Sequence, residues 1–164
     1  MQDQNLRKIT RMALVASVVL VATMFLKVPV TPGGYIHLGD GVIYAAALAF
    51  GPTFAAISGA IGSSLADVLG GYAMWWPWTL VIKGVAGWVI GKIGYNQGRS
   101  RQLLAMVVAA AWTVAGYAVG TSVMFSPSTA LAESLGNVIQ TGSGIVIGLF
   151  LAPVLKVALA VDRP

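Results

Sequence analysis

Long apolar stretches, divided by short polar or Pro/Gly-rich breaks, run through nearly the whole chain. The first, Met12 to Leu26, follows the basic start MQDQNLRKITR and predicts a spanning helix over about 8–26. A secretory signal peptide shares that kind of start, but no small-x-small cleavage pattern follows and the rest of the chain is itself membrane-like. Residues 27–38 (KVPVTPGGYIHL) hold two prolines and two glycines, which predicts a structured loop. The apolar segment 40–50 ends at Gly51-Pro52. At 1.5 Å per residue it is too short to cross a hydrocarbon core of about 30 Å unaided. It is therefore expected to begin earlier, to tilt, or to rest against neighbouring protein. Further helices are expected over about 53–69, 77–93, 103–125 and 130–160, separated by Gly70-Gly71, the polar loop 94–102 and Ser126-Pro127-Ser128-Thr129. Pro77 suits a first helical turn. The expectation is an all-α integral membrane protein: one domain, residues 1–164, of six transmembrane helices with both termini cytoplasmic.

Composition agrees with this pattern and narrows it. Hydrophobic residues make up 57% of the chain, charged residues only 9%. Fifteen charges cannot cover a water-exposed surface, which excludes an ordinary soluble enzyme. The hydrophobicity equally excludes a disordered chain. Charge then orients the helices. With the N-terminus inside, Arg7, Lys8, Arg11, Lys92, Arg99, Arg101, Lys156 and Arg163 all fall on the cytoplasmic side, and only Lys27 and Lys83 on the outer half. That bias obeys the positive-inside rule, and one helix more or fewer would scramble it. The net charge of +5 is accordingly read as membrane topology, with no nucleic-acid partner. The absence of cysteine excludes disulfides and thiolate chemistry.

The same topology gathers polar and aromatic residues at the outer end. His37 and Asp40 belong to the first outer loop, and Asp67, Tyr72, Trp75 and Trp76 to the second. Lys83 lies about two turns into helix four. Glu133, Asn137 and Gln140 follow i, i+4, i+7 spacing and share one face of helix six. Charge within a membrane is costly and faces a cavity or a partner. These residues are the candidates for a ligand site. Plainer readings stand beside it: tryptophans as interfacial anchors, Asp40 and Asp67 as helix caps or partners of Lys83, His37 as a solvated loop residue. Gly59-x-x-x-Ser63, Gly87-x-x-x-Gly91 and Gly144-x-x-x-Gly148 permit close helix packing.

Other chemistry is missing from the sequence. Gly91-Lys92 is followed by Ile93 and lacks the upstream glycine of a phosphate-binding loop. One histidine and no cysteine argue against a zinc site, and no cofactor is implied. Two rival classes remain besides a ligand-binding transport subunit: a membrane-embedded enzyme, disfavoured by the mainly basic inner side, and a small accessory or structural membrane protein without a ligand.

The stretch Pro32-Gly-Gly-Tyr-Ile-His-Leu-Gly-Asp40, then Ala-Leu-Ala-Phe-Gly-Pro52, Gly62-Ser-Ser-Leu-Ala-Asp67, Gly71-Tyr72 and Trp78-Thr-Leu-Val-Ile-Lys-Gly84 resembles the substrate-binding S components of energy-coupling factor (ECF) transporters, in the branch labelled ECF-type riboflavin transporter S component. The resemblance implies a six-helix bundle in a bacterial or archaeal plasma membrane. It implies capture of a vitamin or vitamin precursor at the outer face, and delivery inward with a coupling transmembrane subunit and two ATPase subunits. Members of this family often dock through Ala-x-x-x-Ala on helix one. This sequence has Ala13-x-x-x-Ser17 there and Ala45-x-x-x-Ala49 on helix two, and both pairs are candidate docking positions. The outer aromatics suit a flat heteroaromatic ligand, with Lys83, Asn137 and Gln140 offering contacts to its polar edges.

Overall fold

The computed structural model describes residues 2–25, 27–31 and 34–158. Six α-helices form the body: α1 (Gln2–Phe25), α2 (Gly39–Phe50), α3 (Pro52–Leu69), α4 (Trp76–Gly94), α5 (Arg99–Met124) and α6 (Pro127–Ala158). The last residues expected in helix six, 159–160, and residue 26 of helix one lie outside the described residues, as do Asp162 and Arg163.

Helices α1 and α5 begin earlier than the apolar pattern suggested, at Gln2 and Arg99. Their first turns are rich in Gln, Lys and Arg, good helix formers that carry a helix past the hydrophobic zone. Helix α6 starts at Pro127, where the Ser126 hydroxyl accepts the Thr129 N–H at 3.2 Å. That is an N-cap followed by a first-turn proline. A single 3-10 turn, Ala73–Trp75, leads into α4.

Two features depart from the linear reading. Residues 27–38 are more than a loop: β1 (Lys27–Thr31) and β2 (Gly34–His37) pair antiparallel, with Lys27 opposite His37, and cap one end of the bundle. The short helix is also resolved. Of the three ways a twelve-residue helix could fit, α2 takes the last: every residue from Gly39 to Ala49 is buried. It runs inside the bundle in contact with α1, α3, α4 and α6. The chain leaves it through Gly51, whose φ of +89° disfavours any residue with a Cβ, and enters α3 at Pro52.

Around α2 the other helices follow the sequence of neighbours α1, α3, α4, α5, α6. Helices α1, α3, α5 and α6 are each long and apolar enough to span a membrane, and α4 is of similar length but carries Lys83. Glycines set the closest approaches. A Cβ on Gly144 would lie 2.9 Å from the Asp40 Cβ, and one on Gly148 2.7 Å from the Tyr44 Cβ, so α6 lies almost backbone to backbone on α2. Gly87 and Gly91 of α4 meet Ala55 and Pro52 of α3 in the same way. Gly59 of α3 faces Ile43 of α2. These glycine motifs are therefore spent on internal packing.

The two candidate docking pairs are placed differently by this packing. Ala45 and Ala49 are buried among the neighbours of α2 and present no surface to a partner in this conformation. Ala13 and Ser17 lie exposed on α1, where the Ser17 hydroxyl donates to the Ala13 carbonyl at 2.9 Å.

Candidate functional site

Directly beneath the hairpin, residues from four elements converge. Asp40 is in the first turn of α2, where the helix dipole favours a carboxylate. It is fully buried, and Lys83 of α4 donates to its Oδ1 at 2.6 Å. Gln140 of α6 donates its Nε2 hydrogen to Asp40 Oδ2 at 3.0 Å. The Gln140 Oε1 in turn accepts the backbone N–H of His37 at 3.1 Å. His37 Nδ1 accepts the Gly39 N–H at 3.0 Å, which requires a lone pair there and so a neutral ring protonated on Nε2. Burial lowers the imidazole pKa to about 4; neighbouring Asp40 pulls it upward and Lys83 pushes it further down.

This is a closed ion pair with both carboxylate oxygens engaged. A charge pair buried this deeply is tolerated only with such geometry. It also joins the hairpin, α2, α4 and α6 at one point. Gly144, one turn beyond Gln140, lets α6 come close enough to α2 for the amide to reach Asp40.

A second group adjoins the first. The Lys83 ammonium lies 5.1 Å from the ring centroid of Tyr117, a cation–π contact that links the pair to α5. Tyr117 and Thr79 share a hydrogen bond at 3.1 Å. Trp75 is buried edge-on to Tyr117, with ring centroids 5.7 Å apart, and 6.4 Å from Phe125. Thr121, one turn beyond Tyr117, donates to Glu133 Oε2 at 2.9 Å, fastening α5 to α6 with both groups buried. Asp67 is buried at the end of α3.

Of the residues singled out in the sequence, the structure brings His37, Asp40, Lys83 and Gln140 into one network. Trp75 and Glu133 enter the adjoining group. Asn137 is half-buried on α6 between Glu133 and Gln140. Tyr72 lies apart, its ring 5.1 Å from the Lys27 ammonium. Trp76 stands outside the cluster: its side chain is exposed at the start of α4, where an interfacial anchor belongs. Sequence reasoning missed Tyr117, Thr121 and Thr79. A signal was present, because Thr113, Tyr117 and Thr121 recur every four residues and place a polar face along α5.

Together, a six-helix apolar body and a buried polar-aromatic cluster under a hairpin define a polytopic membrane protein that keeps hydrogen-bonding chemistry inside one end of its bundle. Comparison with known proteins makes the class specific. The family described as "ECF-type riboflavin transporter, S component" matches residues 3–157, and the chain belongs to it. A Pyrococcus woesei protein described as "Uncharacterized protein in gap 3'region" is 39% identical over 142 residues, covering 84% of this chain and 94% of that one. The "Thiamine precursor transporter HmpT" of Lactococcus lactis subsp. cremoris is 27% identical over 158 residues, 95% of this chain and 92% of the relative. A UPF0397 protein of Streptococcus pneumoniae is 33% identical over 73 residues, 44% of this chain and 39% of that protein. The protein is thus a multi-pass membrane protein and a transporter S component, not an enzyme.

Proposed function

We propose that the chain is the substrate-capture subunit of an ECF-type importer in a bacterial or archaeal plasma membrane. It takes up a vitamin or vitamin precursor with a small heteroaromatic ring at the hairpin end, which faces outward. A coupling transmembrane subunit and two ATPase subunits then drive delivery to the cytoplasm. The observation that carries this reading is the cluster itself. Lys83 lies against the ring of Tyr117, Trp75 stands edge-on to that ring, and the Asp40–Gln140 and Thr121–Glu133 hydrogen bonds adjoin them. That combination suits a flat ligand with polar edges. Asn137 and Asp67 belong to the rim of the same site, and His37 and Asp40 hold its floor. Riboflavin, from the family description, and a thiamine precursor, from the Lactococcus relative, are the two ligands to try first.

The test begins with mass spectrometry of small molecules released from protein purified in mild detergent, followed by Trp-fluorescence melting with a vitamin panel. A stoichiometric heteroaromatic compound, or a ligand-dependent rise in melting temperature, is expected. Asn137→Ala and Glu133→Gln should each weaken that ligand about tenfold or more, roughly 1.4 kcal/mol. No bound compound and no stabilisation by any panel member would reassign the cluster to structure alone.

A further inference from the structure

At the end of the bundle opposite the hairpin lies a cavity of about 340 Å³ between α1, the α2–α3 corner and Tyr95 beyond α4. One wall is polar and cationic: Gln4, Arg7, Lys8 and Arg11, at spacings that put them on one side of α1. The facing wall is aromatic, made by Phe50, Phe54 and Tyr95. The Phe50 and Phe54 rings are 4.6 Å apart, and Phe54 is buried, so this wall is anchored in the core. Tyr95 is steadied over Gly51 and holds the Lys156 ammonium 6.0 Å from its ring. The first eleven residues contain three bases and one acid, Asp3, so the cationic wall keeps a net positive charge.

A cationic wall against an apolar one fits an amphiphile with an anionic head. The positive-inside rule puts this basic end of the bundle at the cytoplasmic leaflet, which carries negative lipid and attracts such segments. We propose that this cavity binds the phosphate-bearing headgroup of an anionic phospholipid, with Arg7, Lys8 and Arg11 on the phosphate and Phe50 and Phe54 against the adjoining acyl carbons. The site lies at the other end of the bundle from the ligand cluster and does not depend on it.

Native mass spectrometry of the full chain, exchanged into equimolar phosphatidylglycerol and phosphatidylcholine, tests it. The unmodified protein should retain phosphatidylglycerol over phosphatidylcholine by about tenfold or more. The triple variant Arg7→Gln, Lys8→Gln, Arg11→Gln should retain the two about equally. Lys8→Gln alone, at an exposed position, should lower the preference by a few-fold and keeps the test readable if the triple variant does not assemble. Phe50→Ala, which leaves every cation in place, should also lower retention. Equal retention of both lipids by the unmodified protein would overturn the proposal. Unchanged retention of phosphatidylglycerol in Phe50→Ala would overturn it too, by reducing the effect to diffuse charge. Displacement of the lipid by inorganic phosphate, at matched ionic strength, would show a phosphate-ion site instead. If the triple variant keeps its lipid preference but loses assembly with the coupling subunit, the cavity is a protein contact and the lipid proposal falls.

Discussion

At the hairpin end Asp40, Lys83, Glu133 and His37 are buried, and each is tied to residues from other elements. At the basic end Arg7, Lys8, Lys92, Arg99, Arg101 and Lys156 are exposed on the surface. The contrast shows two ways of placing charge in an apolar protein. At the basic end the cations stay at the exposed surface, so less structure depends on any one of them. At the hairpin end the protein itself replaces water, so each charge depends on specific partners. Substitutions should therefore act very unequally at the two ends.

The largest effect is expected from Asp40→Asn. It leaves the Lys83 ammonium buried beside a neutral amide and should destabilise the protein by about 3–5 kcal/mol. Trp-fluorescence melting in mild detergent checks this, and adding Lys83→Met to the same chain should recover part of the loss. Recovery would identify the unpaired charge, and not lost packing, as the cause.

A pH scan probes the same end next. The folded protein holds His37 neutral down to about pH 4, while the unfolded chain protonates it near its ordinary 6.5. Between those values the unfolded state binds more protons. Stability should thus be complete above pH 6.5 and fall as pH drops towards 4, by up to about 3 kcal/mol. His37→Gln should flatten that part of the melting profile. A profile as steep in the variant as in the parent would assign the dependence to other groups.

Gly144→Ala sharpens the comparison through packing. The added Cβ would meet the Cβ of Asp40 at 2.9 Å and push α6 away from α2. A loss of about 1–3 kcal/mol is expected, with a matching loss of ligand affinity if Gln140 is drawn off Asp40. The smallest effects belong to the basic end. Lys92→Gln and Arg99→Gln should each change stability by no more than about 0.5 kcal/mol. A larger loss from either would break the contrast.

Several site residues were legible because membrane chemistry makes them conspicuous. Lys83 in an apolar helix demanded a partner, and Asp40 was among the partners considered. The Glu133, Asn137 and Gln140 stripe was readable from helical periodicity, and two of the three are buried. The α5 contribution was harder to see, since single threonines and a tyrosine in an apolar helix attract no attention one by one. The hairpin was hidden for a different reason. Pro and Gly mark a break in helix but do not say whether the strands on either side pair. Ala45 and Ala49 are buried in this conformation, and a small-residue motif is the same in sequence whether it faces a partner or the core of its own bundle.

Local composition and period alone determined that this chain is an apolar helical bundle, where its helices lie, and which end collects basic charge. Those properties depend on residues near one another in sequence and on the cost of exposing polar groups to lipid. Only the tertiary structure decided that α2 is the enclosed helix, that Lys83 meets Asp40, and that Gln140 reaches both Asp40 and the hairpin. Each of these contacts joins residues 43 to 103 positions apart. They depend on how closely glycines let the backbones approach, a distance that no local pattern encodes.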